Sequence, residues 1–232
     1  MRQYTPYTPM VSFPNVGRLD YSDYWRERGF ALQKKLRERE VLIRALIPLG
    51  ARVLDIGCGN SRLPLELAKK GCVVMVADIS LVVLGALKQE GISGVVLDLD
   101  TIGETPDVGQ YDYIIMSEVL EHTRNPEEIL KMLTPHTTRF VLTIPNSAFY
   151  PFRLRLFFGG RFFRQWAFHP SEHLRYWSHT DFLDWLGALG FEVEYTRASN
   201  GLSIKGLAPW LKDLWPNLFG HQMVYVCRTN SL

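Results

Sequence analysis

A doubly wound α/β fold is what this sequence predicts: a seven-stranded, mostly parallel sheet with helices on both faces and an aromatic, basic insertion after the fifth strand. Short apolar runs alternate with helical stretches along much of the chain, the pattern of parallel strands buried on both faces. A glycine-bearing turn closes the first of those runs and opens a helix, and two more strand-like runs lie near the C-terminus. The length of 232 residues suits one large domain, or one domain with an inserted cap, at about 150 residues per domain.

Residues 1–17 hold three prolines and no periodicity, and are expected to form an irregular arm. From Ser22 to Ile47, Trp25, Leu32, Leu36, Ile43 and Leu46 recur among charged neighbours, which predicts a helix whose KKLRERE block is a solvated face. Strands follow at 51–56, 73–78, 94–98, 111–116 and 139–144, with helices at Leu63–Lys70, Leu81–Gln89 and Pro126–Leu133 between several of them. A helix over Thr180–Leu189, stopped by Gly190, precedes the two last strands, Phe191–Arg197 and Gln222–Arg228. Residues 147–178 break the alternation. Five arginines (153, 155, 161, 164 and 175) against Glu172 sit among many aromatics there, and the position after the fifth strand places this cap at the carboxyl edge of the sheet, where ligands bind.

Composition narrows the function classes. Hydrophobic residues make up 47% and charged residues 22%, as in a globular protein, and the net charge of +2 gives no global field toward nucleic acid. Cys58, Cys72 and Cys227 match neither a disulfide framework nor a zinc spacing. The N-terminus has no signal-peptide core and no run approaches the length of a membrane span, so a cytoplasmic location is expected.

The chemistry concentrates in VLDIGCGNSRLPLEL, residues 53–67. Gly57 and Gly59 allow close approach of a ligand to the backbone, and the following helix N-terminus offers N–H groups to an acidic ligand group. A dinucleotide fingerprint needs a third small residue where Arg62 stands. Asp55, just before the turn, is ill placed for pyrophosphate and well placed for an amino group. A ligand carrying both an ammonium and a carboxylate fits better, and S-adenosylmethionine (SAM) has that pair plus a ribose. Asp78 ends the second strand nineteen positions after Gly59, close to the spacing of about 20 expected of a ribose-hydroxyl acceptor. Asp98 and Leu99 end the third strand region, near an adenine, and Ser117 and Glu118 end the fourth.

These residues resemble class I SAM-dependent methyltransferases over roughly residues 50–200. The 53–67 segment looks like their first motif, with Cys58 and Asn60 falling in its cofactor positions beside Asp55, Gly57 and Gly59; Asp78, with Ile79 next to it, matches their acidic ribose ligand, and Asp98 their adenine contact. SEVLEH (117–122) is similar to their motif after the fourth strand. RNPEEILKML (124–133) and TIPNSAFYPFRLRLFFGGR (143–161) resemble the MetW branch, which is tied to methionine biosynthesis as a partner of homoserine acyltransferase. The resemblance implies a Rossmann-like methyltransferase fold, with residues 1–48 as an arm and helix over the cofactor site and 49–232 as the SAM-binding domain. HPSEHLRYWSHTDF (169–182) is more similar to capped methyltransferases acting on small molecules or sugars, and YSDYWRERG to arms that fold Tyr24 or Trp25 over the cofactor.

The expected activity is therefore methyl transfer from SAM to a small-molecule acceptor, whether sugar, lipid-linked or acidic. His122, or else His173, is the candidate base if the acceptor is a hydroxyl. His169 and His173 have a spacing open to a metal, but no carboxylate or cysteine completes the set, so no metal is expected. Three alternatives stand beside this: a SAM-binding regulator partnered with an acyltransferase, a protein lysine methyltransferase, and a cap that touches a membrane surface through its alternating Arg, Phe and Leu. A homodimer is also open; nucleic acid is the least favoured partner.

Overall fold

The computed structural model describes residues 20–101, 109–160, 162, 173–201 and 209–229. Two helices come first, α1 (Tyr21–Glu27) and α2 (Glu38–Leu46). Then β1 (Arg52–Ile56), α3 (Leu63–Lys69), β2 (Val73–Asp78), α4 (Leu81–Gln89) and β3 (Ser93–Val96) alternate. After them come β4 (Tyr113–Ser117), α5 (Pro126–Leu133), β5 (Arg139–Pro145), α6 (Tyr150–Gly159), α7 (His179–Ala188), β6 (Phe191–Gly201) and β7 (Gly220–Thr229).

The seven strands form one sheet in the order β3-β2-β1-β4-β5-β7-β6. The first five pair in parallel, and β7 runs antiparallel between β5 and β6. Strand alternation explains why the runs are apolar throughout: Leu54, Ile114 and Met116 enter a core under α5 and α7, while Val53 and Ile115 enter another under α2 and α3. Helix ends follow local chemistry. Pro64 and Pro126 sit in the first turns of α3 and α5, and Ser178 with Asp181 forms a reciprocal cap on α7.

The expected single helix over Ser22–Ile47 is instead two. Gly29 takes φ +60°, and the segment after it docks on the glycine turn: Gln33 N–H donates to the Asn60 carbonyl at 3.0 Å, and Arg37 reaches Asn60 Oδ1 at 3.1 Å. Those tertiary bonds outweigh the helical pattern. α2 then packs Ile43 on the sheet and sends Arg39 and Glu40 to the residues behind the carboxyl edge, so that from this part of the chain only α1 lines the cleft there. The cap expected over 147–178 holds α6 at its start; Arg161, Arg164, His169 and Glu172 lie outside the described residues, as does the arm of residues 1–17.

Candidate functional site

β1 and β4 are neighbours in the sheet while their flanking strands run off in opposite directions, so a crevice opens beyond their carboxyl ends. A cleft of about 480 Å³ lies there. Its floor is Ile56, Gly57 and Gly59; Ala77, Asp78 and Ile79 form one wall with Leu97, Asp98 and Leu99; Glu118, Val119 and His122 form the other; Tyr21, Tyr24 and Trp25 close it from α1.

The turn is built around its glycines. Gly57 has φ +67° and Gly59 φ +52°. A β-carbon on Gly57 would stand 2.7 Å from Val119 Cγ2, and one on Gly59 would stand 3.0 Å from the Trp25 ring. The chain therefore passes between a β4-loop side chain and an α1 aromatic with no room for more. Asp78 ties the turn to β2: its Oδ2 accepts from Gly59 N–H at 3.1 Å and its Oδ1 from Ser80 N–H at 2.9 Å. Burial raises the Asp78 pKa, with the backbone N–H donors pulling the other way.

Asp55 lies beneath the turn, 1% exposed, with Oδ2 lacking a hydrogen-bond partner among the described residues. Burial, then the nearby Glu40 and Asp78 carboxylates, hold its pKa well above the usual range. Cys58 is buried beside it, and burial raises its thiol pKa well up, so it packs rather than reacts.

Several expected residues stand apart from the cleft surface. The Asn60 side chain is taken by Gln33 at 3.2 Å and by Arg37. Ser117 Oγ faces the sheet side opposite the cleft, bonded to Arg39 Nε at 3.2 Å and Thr143 at 3.0 Å, because β4 alternates its side chains across the sheet. The Cys58 side chain is likewise absent from the cleft lining. The fourth-strand loop carries a network unforeseen from the sequence. Glu118 adopts φ +57°, accepts from Gln222 Nε2 at 2.6 Å, and lies 3.6 Å from the buried guanidinium of Arg39.

The same loop meets the returning leg of the cap. Leu174 N–H and Arg175 N–H both donate to the Glu121 carbonyl, at 2.7 and 3.1 Å. This docking sets the His173 ring 4.6 Å from that of His122, whose Nδ1 is 3.2 Å from the Tyr21 hydroxyl. Burial, and secondarily His122, lowers the His173 pKa to about 3. Glu121, His122 and His173 each bring a ligand atom within 4.8 Å of the others. The spacing rule sought a partner for His173 four residues away; the fold supplies partners some fifty residues away, which no short-range pattern reveals.

A family model described as "Methionine biosynthesis protein MetW" matches residues 37–227. The chain belongs to the MetW family. Among curated relatives, a "Ubiquinone biosynthesis O-methyltransferase" of Marinobacter nauticus is 34% identical over 109 residues, covering 42% of this MetW-family chain and 46% of the relative. One of the same description from Xylella fastidiosa is 34% identical over 113 residues, 44% of the chain and 45% of the relative. The chain thus spans about half the length of the curated relatives it matches. Among solved structures, the magnesium protoporphyrin IX methyltransferase of Synechocystis, with bound SAH, superposes with TM-score 0.59 at 19% identity, over 90% of this chain and 94% of that one. A putative methyltransferase in complex with the Haloferax volcanii Trm112 activator gives 0.60 at 15% identity, over 90% and 96%. These likenesses show the Rossmann-like fold of class I methyltransferases.

Proposed function

We propose that this chain is a SAM-dependent methyltransferase acting on a small-molecule acceptor. The observation that carries the reading is the buried Asp55 carboxylate with an unmet oxygen beneath the glycine turn, next to a cleft that Asp78 lines. A buried acid without a partner suits an ammonium, and Asp78 on the cleft wall suits a pair of sugar hydroxyls. Its methyltransferase relatives and fold neighbours agree with it.

In this reading Asp55 and the backbone of Gly57, Cys58, Gly59 and Asn60 hold the methionine end, Asp78 with Ile79 the ribose, and Asp98 with Leu99 the adenine. Tyr24 and Trp25 cover the cofactor from α1 and exclude water. SAM supplies a methyl group activated by its sulfonium charge. The protein then mainly positions an acceptor in line with the sulfur. Bound there, SAM would supply its methyl carbon to an acceptor oxygen, its sulfur keeping the C–S electron pair, and the acceptor proton would pass to a base of the chain. His122 lines the cleft and is the candidate for that base; burial makes His173 a poor one.

Methyl-labelled SAM incubated with the protein and a cell extract, followed by separation of small-molecule, lipid and protein fractions, tests this. Label in the small-molecule fraction is expected. Failure to bind SAM or its demethylated product S-adenosylhomocysteine (SAH) in calorimetry overturns it. The family description favours a second reading, a SAM-binding partner in methionine biosynthesis, for which SAM binding without transfer and co-elution with an acyltransferase are the expected signs. No helix among the described residues is long and apolar enough to cross a membrane. The exposed Phe157 and Phe158 of α6, at 80% and 79%, support a membrane-surface role for the cap, which vesicle sedimentation tests.

A further inference from the structure

We propose that Glu121, His122 and His173 form a binding site for a divalent first-row cation at the acceptor end of the cleft. Three side chains from two distant segments converge there, and their ligand atoms lie within 4.8 Å of one another. The carboxylate of Glu121 is the decisive member. It is 1% exposed, and neither oxygen finds a hydrogen-bond partner among the described residues beyond the approach of its own backbone N–H. His173 Nδ1 is buried and equally without a partner. A buried carboxyl group facing two imidazoles, with unmet acceptors on both sides, is the donor set of a cation, and no cationic side chain among the described residues bonds to it. Arg39, whose charge acts on Glu121, is itself engaged by Glu118, Ser117 and Gln222.

The surroundings have the form of a metal site. The Glu121 carbonyl holds the Leu174 and Arg175 N–H groups, which fixes the segment presenting His173, and the Tyr21 hydroxyl bonds His122 Nδ1 and orients that ring. Two imidazoles and one carboxylate favour Mn²⁺, Fe²⁺, Co²⁺ or Zn²⁺ over Ca²⁺, which prefers an all-oxygen cage. Three protein ligands leave coordination positions open. Since His122 lines the cleft, those positions face the space where an acceptor would lie. An acceptor bearing one hydroxyl, or two adjacent ones, would bind the cation through oxygen. The cation would then lower the pKa of that hydroxyl so that its proton passes to solvent water, in place of the base role given to a metal-free His122. This last step rests on the methyltransferase reading; the cation site itself does not.

The full chain, stripped with a chelator, is titrated with Mn²⁺, Co²⁺ and Zn²⁺ by calorimetry, and the visible spectrum of the Co²⁺ form is recorded. One cation per chain, with cobalt bands of mixed nitrogen and oxygen coordination, is expected. Glu121→Gln and His173→Ala should weaken cation binding by about a hundredfold or more, while SAH affinity stays near that of the wild type. Asp78→Ala should do the reverse, losing SAH and keeping the cation, so the two readings fail separately. No uptake by the wild-type chain overturns the proposal. So does unchanged affinity in both variants; if Glu121→Gln does not fold, His173→Ala and the wild-type titration decide.

Discussion

Asp78→Ala probes the cofactor reading most directly. The carboxylate is 6% exposed at the end of β2 and already accepts two backbone N–H groups, from Gly59 and Ser80. Each oxygen has lone pairs to spare, so ribose hydroxyls can add to these bonds without replacing them. A hydrogen bond to a charged acceptor contributes about 1.5–3 kcal/mol, and about 1.4 kcal/mol is tenfold in affinity. Losing one such bond weakens SAH binding by about tenfold to a hundredfold, and losing both multiplies the loss. The substitution also orphans the Gly59 and Ser80 N–H groups, at a cost of about 1–3 kcal/mol, so a melting temperature several degrees lower is expected. The assay is calorimetric titration with SAH, well below the variant's melting point. A folded Asp78→Ala protein with wild-type affinity refutes the assignment. Asp78→Asn, which keeps one acceptor, should fall between the two.

Other outcomes follow from neighbouring geometry. Gly57→Ala adds left-handed strain to a contact at 2.7 Å with Val119, and should cost about 2–4 kcal/mol in chemical denaturation; combining it with Val119→Ala should restore part of that. Arg39→Met leaves Glu118 and Gln222 without their buried partner and should cost about 3 kcal/mol, read from the denaturation midpoint. The Asp55 pKa is raised in the folded state by burial and by Glu40 and Asp78. Its contribution to stability is therefore fully present below the unfolded value, about 3.9, and is lost as pH rises toward the folded value. Stability without ligand should fall over that window, and Asp55→Asn should flatten the fall. An ammonium beside Asp55 reverses the sign, so SAH should bind more tightly as pH rises through the same window. Equal pH slopes in wild type and Asp55→Asn, by thermal melting, would count against this.

How much was legible depended on the range of the interactions involved. The central strands β1, β4 and β5 could be read because burial on both faces leaves uninterrupted apolar runs, whereas β3 at the edge is mostly exposed; Val73–Asp78 and Leu81–Gln89 emerge with the expected bounds. The glycine turn and Asp78 were readable for a similar reason: backbone geometry and a strand end sit close together in sequence. The break after α1 was signalled by Gly29, but its stability comes from Gln33 and Arg37 gripping Asn60, contacts across more than twenty residues. That grip also explains why the Asn60 side chain is absent from the cleft surface. Ser117 was expected at the right edge of the sheet but points to the wrong side of it, a one-residue parity that sequence position alone leaves open. The meeting of His173 with Glu121 and His122 depends wholly on where the cap's second leg docks.

The last strand of this sheet in sequence order is not the strand at its edge. β7 lies between β5 and β6, bonded to both, so β6 has no partner until residues 220–229 have been made. During synthesis, β5 therefore waits with an open hydrogen-bonding margin, a place where another chain's strand can pair by mistake. A growing chain of this protein is most exposed to aggregation just before residues 220–229 emerge, and a truncation ahead of residue 220 would make that exposure permanent.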